Sequence, residues 1–485
     1  MLPATAGHAI DAANGRVLGT GPALANTSAA AVKSKTPVIA HAEEYARLKK
    51  AGVAFVRVLW CDTVNLVRTK VIPLRRFFED RLSTQGIRDQ QCLAAMPVTG
   101  DEVLAGSPSG DLILMPDMST LCIMPYYPSH ASVFCFMYLP NGQPFACDTR
   151  ALVARVLTRA KQEFDLTFNM GFELEFTLFM RNATTGAREP LDKALYAENS
   201  ALDPSTSEVL DDMVMMLEAQ GIAVEAYHKE SAPGQYEIVL KYKEALAALD
   251  DLVRARTTLR HVAKAHGLEC SFIPKPFSGE AGNSNHCHIS LNRGGRNIYA
   301  DPHPAPSMLP MAMGSGTSHF MAGVLHRLMP LTALLAPSYV SYERLVPQMW
   351  SGAFTVWGHG NKEAAVRAGD NNFEVKTLDG TANPHLALAG VLAAGLDGLR
   401  QRLVLPPPLQ DDPATLTQAQ RNAIHCQSLP SSLLMALTHL KGDALLADVL
   451  GPRLLNTFLR VKEGECKQID VMHGAERYEL FVRRY

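Results

Sequence analysis

The chain has 485 residues, of which 47% are hydrophobic and 19% are charged. This composition suffices for a large buried core and excludes a chain that is disordered throughout. Lys and Arg number 46 and Asp and Glu number 48, so the net charge is −2, which excludes a dominant surface for nucleic acid or for an acidic membrane.

The nine cysteines are an odd number and include no C-x-x-C pair. They argue against a disulfide framework or a zinc ribbon and favour reduced thiols in a cytoplasmic protein. The most apolar stretches, around 324–340 and 382–399, both contain charged residues, so neither is expected to span a membrane.

Residues 1–36 are rich in Ala, Gly, Ser and Thr and show no hydrophobic periodicity. We expect a flexible leader in this segment. It lacks the apolar centre of a secretory signal, and an organellar transit peptide is the alternative to a disordered tail.

The stretch 37–142 is expected to form a small domain of strands and turns. The segments 53–60 and 66–72 flank a Cys-Asp-Thr turn and predict a hairpin with one solvated face. Further strands are predicted at 112–116 and 131–139, between clusters of Pro, Gly and Ser.

A larger domain, 143–485, is expected to begin where long helices start to alternate with strands. Asp148 can cap the first of these helices. Gly221 and Gly267 follow two others, as glycine does where a chain leaves a helix in a left-handed turn. Helices are predicted at 151–164, 204–220, 243–266, 317–335 and 383–403.

The strand at 171–176 carries two carboxylates on one face. Side chains alternate along a strand, so Glu173 and Glu175 lie side by side, opposite the apolar face of the same strand. Like charges this close repel, and a divalent metal would relieve the repulsion. A solvated face of an edge strand explains the same pattern, and this segment alone does not decide between the two.

Similar patterns recur in four further segments, which favours the metal interpretation. His228 and Glu230 are two residues apart, as are His286 and His288, and each pair is expected to share a face. Glu237 and Glu374 each lie among strand-favouring apolar residues. A set made mostly of Glu with one or two His suits Mg²⁺ or Mn²⁺ better than zinc or copper.

The sequence contains no GxxxxGK[ST] motif, so a nucleotide would be held through metal and basic side chains. Four cations fall close together around the strand of Glu374, namely Arg344, Lys362, Arg367 and Lys376. Singly each is an ordinary surface charge. Together they predict an anion site, since cations beside metal-bound phosphates stabilise phosphoryl transfer.

These segments resemble the glutamine synthetase family, and more narrowly its γ-glutamyl–amine ligase branch, which includes γ-glutamylpolyamine-type ligases. The matching stretches, in order from 171 to 399, are GFELEF, HKESAPGQYE, FIPKPF, HCHISL, SYERLVP, NKEAAVR and FEVKTLDGTANPHLALAGVLAAGLDGL. Weaker matches, RTKVIP and MPDMSTL, lie nearer the N-terminus. The resemblance implies an α+β fold with a small N-terminal β-grasp domain and a large catalytic domain, whose curved antiparallel sheet is backed by helices.

The resemblance also implies roles for individual residues. The metal nearer glutamate would take Glu175, Glu230 and Glu237, and the metal nearer ATP would take Glu173, His286 and Glu374. Arg344 matches an arginine of the glutamate and phosphate site, and Arg367 one that contacts ATP phosphate, while His288 and Ser290 match residues beside the nucleotide.

The implied chemistry has two steps and requires ATP with two or three Mg²⁺ or Mn²⁺ ions per site. ATP phosphorylates the γ-carboxylate of glutamate or a related acid, and ammonia or an amine then displaces the phosphate. Phosphate leaves far more readily than a carboxylate oxygen, and metals neutralise the developing charge. The family also implies a homo-oligomer, a ring or two stacked rings, with active sites between subunits.

Four departures from the family pattern bear on the substrate. Trp350 replaces a flap glutamate that helps to bind and deprotonate ammonium; an indole can hold an alkylammonium ion, or the side chain can simply pack the flap. Lys362 and Lys376 replace arginines and lose the planar two-pronged grip on an anion. The stretch around Gly282 replaces a more glycine-rich loop that touches glutamate.

Three hypotheses follow from these patterns. The first is an ATP-dependent ligase that forms a γ-glutamyl amide with an organic amine, and the second is a true glutamine synthetase. The third is a non-catalytic relative that keeps the fold, which the retained metal ligands oppose because repelling carboxylates would remain in the core.

Overall fold

The computed structural model describes residues 39–106, 109–194, 204–300 and 313–485, so the predicted leader lies outside the described residues. The N-terminal described residues, up to 138, include a six-stranded sheet in the order β2-β1-β6-β4-β3, with β5 beside β6. Its strands are β1 (Phe55–Cys61), β2 (Val67–Pro73), β3 (Ile87–Gln90), β4 (Asp111–Pro116), β5 (Cys122–Ile123) and β6 (His130–Tyr138). Its helices are α1 (Ala42–Lys50), α2 (Leu74–Glu79) and α3 (Leu82–Gln85).

The predicted hairpin is confirmed. Strands β1 and β2 pair antiparallel from Phe55 opposite Pro73 to Cys61 opposite Val67. Strand β1 also pairs with β6, and this pair is parallel. Asp62 fixes the turn because its carboxylate accepts backbone hydrogen bonds from Val64 and Leu66.

A ten-stranded sheet follows, in the order β14-β15-β16-β12-β7-β10-β9, with β8 and β11 beside β7 and β13 beside β12. Its strands are β7 (Thr167–Arg181), β8 (Arg188–Pro190), β9 (Val224–Lys229), β10 (Gln235–Glu244), β11 (Glu269–Ser271), β12 (Asn285–Arg293), β13 (Arg296–Asn297), β14 (Phe354–His359), β15 (Ala364–Ala368) and β16 (Phe373–Val375). The prediction of an antiparallel sheet needs one correction, because β14 and β15 run parallel.

Helices back this sheet. They are α4 (Thr149–Phe164), α5 (Pro204–Glu218), α6 (Ala245–Ala265), α7 (Ser315–His326), α8 (Leu328–Leu335), α9 (Ser341–Arg344), α10 (Pro384–Gln401), α11 (Gln418–Ala423), α12 (Leu433–Gly442), α13 (Ala444–Asp470) and α14 (Gly474–Arg484). The predicted cap of α4 is confirmed, since Asp148 Oδ1 accepts from the backbone N–H of Ala151 at 2.9 Å.

The single helix predicted at 317–335 is wrong in one respect, because the structure divides it at Arg327 into α7 and α8. Pro330 supplies the physical reason. A proline ring inside a helix clashes with the carbonyl of the residue four positions earlier, but it is tolerated in the first turn. Pro330 lies in the first turn of α8, so a new helix begins just before it.

Strand β7 separates the core from the polar face of the sheet. Phe172, Leu174 and Phe176 are almost fully buried on one face, against a core that includes α6. Glu173 and Glu175 lie on the other face, as the alternation predicts. The nine cysteines are unpaired, and no helix in the described ranges is long and apolar enough to cross a bilayer.

Helices α7 and α10 approach so closely that their contact requires glycine. A Cβ atom on Gly323 would lie 2.2 Å from the carbonyl oxygen of Ala394, and one on Gly398 would lie 2.2 Å from that of His319. The two backbones thus touch behind the sheet, and neither position has room for a methyl group.

We therefore expect G323A to destabilise the protein by about 1–3 kcal/mol, since an added methyl forces the two helices apart. Thermal unfolding measures this effect. G442A is the matched control, because a Cβ atom there meets nothing within 4 Å. Equal unfolding temperatures for both variants would contradict the close packing.

Candidate active site

Strand register brings the predicted carboxylates and imidazoles onto one face of the larger sheet. Strand β7 lies between β10 and β12, and it places Glu175 opposite Glu237 and Glu173 opposite His286. Strand β16 adds Glu374 opposite His288. Side chains that are far apart in sequence therefore meet through backbone pairing.

The first cluster comprises Glu173, His286, His288 and Glu374. His286 Nδ1 lies 2.9 Å from Glu173 Oε2 and 3.1 Å from Glu374 Oε1, while His288 Nε2 lies 2.9 Å from Glu173 Oε1. Asn372 Oδ1 lies 2.9 Å from the other ring nitrogen of His288 and orients that ring. Burial would raise the pKa of Glu173, but hydrogen bonds from both histidines outweigh it and lower that pKa.

Glu374 indicates that the first cluster suits a cation. Its side chain is 1% exposed, and neither oxygen has a hydrogen-bond partner within the described ranges. Arg367 Nε lies 2.5 Å from Oε2 as an ion pair, without hydrogen-bond geometry. A buried carboxylate held, among the described residues, by ion pairs with His286 and Arg367 alone is the type of donor that hard divalent ions take.

The second cluster comprises His228, Glu230 and Glu237. His228 Nδ1 lies 3.4 Å from Glu230 Oε1, and His228 Nε2 lies 3.4 Å from Glu237 Oε1. Burial raises the pKa of both carboxyls, and repulsion from Glu173 and Glu175 raises that of Glu237 further. Ligand atoms of Glu173, His288 and Glu374 lie within 4.8 Å of one another, as do those of His228, Glu230 and Glu237, and each group fits a single metal ion. His288 thus stands in the first group where the family resemblance implies His286.

Glu175 is held differently from the ligand set that the family resemblance implied. Its Oε2 accepts hydrogen bonds from the backbone of Ser284 and from Gln235 Nε2, both at 3.0 Å, and the Ser284 hydroxyl donates to Oε1. It nevertheless faces Glu237 across the strand pair. Glu175 therefore lies beside the second cluster with its orientation fixed by neutral donors.

Gly282 and Arg344 form one unit. A Cβ atom on Gly282 would lie 2.2 Å from the carbonyl oxygen of Pro274 and 2.6 Å from Arg344 Cγ, so only glycine fits there. Arg344 is 2% exposed and donates to the carbonyls of Thr377 at 2.6 Å and Lys376 at 3.4 Å. Its Nε has no hydrogen-bond partner in the described ranges, which leaves it available for an anion.

The two lysines that replace arginine differ in burial. Lys376 is 2% exposed, and burial lowers its pKa while the charge of Glu374 opposes that change. Lys362 is exposed, and its charge still acts on the carboxyl of Glu230. Both lysines therefore lie within electrostatic reach of a metal cluster.

Trp350 lies in a flap, the loop 345–353 between α9 and β14. Its side chain is 48% exposed, so about half of the indole surface is accessible and the rest lies against neighbouring residues. The backbone N–H groups of Gln348 and Trp350 donate to the carboxylate of Glu363 at 3.1 and 2.9 Å. A large exposed aromatic surface is therefore held at this loop.

A cavity of about 530 Å³ opens beside the first cluster. Glu173, His288 and Ser290 line it, together with Tyr242 and a group of asparagines that includes Asn372. The predicted nucleotide residues His288 and Ser290 thus share one wall. Its volume lies within the range of small-molecule sites in proteins.

Sequence reasoning missed two polar contributors to this site and assigned no ligand role to a third. His228 belongs to the predicted metal segments through its spacing from Glu230, and the structure places it in the second cluster. Gln235 and Ser284 hold Glu175, and neither has a distinctive pattern in the sequence. Only the strand register of β7, β10 and β12 reveals these partners.

Comparison with known proteins identifies the family. Residues 146–480 match the family profile described as glutamine synthetase, catalytic domain. The gamma-glutamylpolyamine synthetase GlnA3 of Streptomyces coelicolor is 34% identical over 430 residues, 86% of this chain and 91% of that protein. The glutamine synthetase of Methanocaldococcus jannaschii is 31% identical over 437 residues, 86% of this chain and 92% of that protein.

Solved structures confirm the predicted fold. A structure described as a GmaS/ADP complex has a TM-score of 0.77 at 25% identity and covers 90% of this chain and 98% of its own. A second, described as a novel glutamine synthase homolog, has a TM-score of 0.75 at 26% identity, with 89% and 99% coverage. The chain belongs to the glutamine synthetase family of ATP-dependent ligases that form carbon–nitrogen bonds.

Proposed function

We propose that the chain joins the γ-carboxylate of glutamate to an organic amine. ATP transfers its terminal phosphoryl group to the carboxylate, ADP departs, and the amine nitrogen then displaces phosphate to form a γ-glutamyl amide. The observation that carries this proposal is the exposed indole of Trp350 in the flap. The similarity to gamma-glutamylpolyamine synthetase GlnA3 supports it independently.

We assign the two clusters to Mg²⁺ or Mn²⁺. Carboxylates with an imidazole suit these ions, and the buried carboxylate of Glu374 and the repelling carboxyls around Glu237 fit such charges. When bound, the ions neutralise phosphate oxygens and so favour phosphoryl transfer. A third ion beside Glu175 would complete the set that the family implies.

The cations of the chain hold the reacting anions. Arg344 offers its buried guanidinium beside Gly282, where we place the acid substrate. Arg367, now paired with Glu374, and Lys362, near Glu230, are assigned to the transferred phosphate. Lys376 supplies a buried positive charge for the substrate carboxylate. Such fixed charges stabilise the transition state because they need not reorganise.

The cavity beside the first cluster is the proposed ATP site. His288 and Ser290 line it, and the nearby asparagines offer donors and acceptors for a base or a sugar. The phosphates would then point toward Glu173 and the metal ligands. This placement needs no phosphate-binding loop, in keeping with the sequence.

True glutamine synthetase activity is the second candidate. The similarity to the glutamine synthetase of Methanocaldococcus jannaschii favours it. It requires ammonium to bind without a carboxylate at position 350, because an indole offers only its π face there. The preferred amine distinguishes the two candidates.

We also propose a homo-oligomer with active sites between subunits, arranged as one ring or two stacked rings. The proposal rests on membership of the family. Analytical ultracentrifugation measures the assembly directly.

The first prediction of this proposal concerns the amine. With Mg·ATP and glutamate, we expect ADP release to accelerate with putrescine, spermidine, ethanolamine or an aromatic amine and to remain slow with ammonia. A coupled ADP assay measures the rates. Fast turnover with ammonia alone would instead establish glutamine synthetase activity.

A second prediction concerns Trp350. W350L should raise the KM for the organic amine about 2- to 30-fold, since it removes a cation–π contact of ~0.5–2 kcal/mol. W350F retains a ring and should stay near the original KM. The KM for ATP should not change in either variant. An unchanged amine KM in W350L would remove Trp350 from the amine subsite.

A third prediction concerns the metals. Mn²⁺ should raise the unfolding temperature of the apo protein, and E237Q should lose most of that rise because one ligand becomes neutral. Without metal, E237Q should unfold at about the same temperature, since burial and then the neighbouring carboxylates raise the pKa of Glu237 and favour its neutral form, which Gln resembles in shape and charge. E208Q, at an exposed position on α5, is the control. A full Mn²⁺ response in E237Q would contradict the assignment.

A further inference from the structure

The carboxylate of Glu363 holds the backbone of the flap at two positions. Glu363 Oε2 accepts a hydrogen bond from the backbone N–H of Gln348 at 3.1 Å, and its Oε1 accepts one from that of Trp350 at 2.9 Å. Both donors are main-chain groups, and the acceptor is charged, which makes these bonds stronger than neutral ones. One side chain thus fixes two backbone positions.

The flap needs such an anchor because its backbone is strained. Gln348 and Trp350 have φ values of 62° and 55°, in the left-handed region that disfavours side chains other than glycine. Gly352 follows with φ of 68°, and a Cβ atom there would lie 2.6 Å from Ala365 Cα on β15. The loop is therefore tied to β15 at its base and to Glu363 at its tip.

The indole of Trp350 is not fixed by burial. Its side chain is 48% exposed, whereas Trp60 and Trp357 are 4% and 6% exposed. The direction in which Trp350 points therefore depends on the backbone that carries it. Glu363 controls that backbone, and Lys362 beside it acts on Glu230 of the second cluster.

We propose that Glu363 is a positioning residue that fixes the flap, so that Trp350 stands at the mouth of the amine subsite and selects the amine. This inference rests on the proposed function, because it assigns the flap to the amine. Glu363 itself is committed to the two backbone groups and acts through Trp350. Nothing in the sequence pattern used for the other site residues identifies it.

E363Q tests the inference. Glutamine keeps one carbonyl oxygen but turns an N–H₂ group toward the second backbone N–H, so one of the two hydrogen bonds is lost. We expect the KM for the organic amine to rise about tenfold, as for loss of a bond to a charged acceptor. The KM for ATP and the Mn²⁺-induced rise in unfolding temperature should stay unchanged, which separates this effect from misfolding.

A substrate-free measurement accompanies the kinetics. Time-resolved fluorescence anisotropy reports local motion of the exposed Trp350, and the W350F variant identifies its share of the signal. E363Q should increase the amplitude of the fast component. E476Q, an exposed acid on α14, is the matched control and should change neither readout.

The outcomes separate the two proposals. A raised amine KM together with faster indole motion supports the inference. An unchanged amine KM overturns it, whatever the anisotropy shows, and unchanged indole motion overturns the flap anchor itself. If no organic amine is a substrate of the wild-type protein, the proposed function fails, and the anisotropy alone then decides whether Glu363 anchors the flap.

Discussion

Repulsion among buried carboxylates is the constraint on which the rest of this sheet depends. The backbone register of β7 with β10 fixes Glu175 opposite Glu237, and the register of β12 and β16 fixes Glu173 near Glu374. These groups cannot separate without breaking strand pairs. The apolar face of β7 and the helices behind it hold the arrangement, so a large core stabilises a polar face that is unfavourable by itself.

The two clusters differ in how their carboxylate charges are compensated. In the first, the chain supplies its own positive and donor groups, since His286 and His288 contact Glu173 and Arg367 pairs with Glu374. In the second, His228 stands alone between two carboxyls, and the pKa of Glu237 is raised by burial and by its neighbours. An added cation would therefore change the electrostatics of the second cluster most, because that cluster has less internal compensation.

Features that depend on short stretches of sequence were predicted correctly from local rules. The alternation in β7, the hairpin of β1 and β2, and the cap at Asp148 follow from side-chain period, turn chemistry and capping, and all three agree with the structure. The break at Arg327 follows from Pro330, a local signal that the apolar periodicity outweighed in the predicted helix. The parallel pair β14–β15 does not follow from local rules, because strands joined by so short a connection usually pair antiparallel. The site shows the same difference. The two-residue spacing within strands predicts the carboxylates, whereas Gln235 and Ser284, which donate hydrogen bonds to Glu175, come from other segments and could not be predicted from spacing.

In the proposed function, the flap directs the two-step reaction toward an organic amine, while the metal clusters keep their assigned role. A carboxylate attracts ammonium and an alkylammonium ion alike, so it offers little discrimination between them. An exposed indole attracts a cation through its π face and also contacts apolar methylenes, which ammonia lacks. This preference requires a fixed ring, because a mobile one must lose rotational freedom on binding. The strained loop bonded to Glu363 would supply that order in advance, and the proposal thereby links the geometry of the flap to the choice of amine.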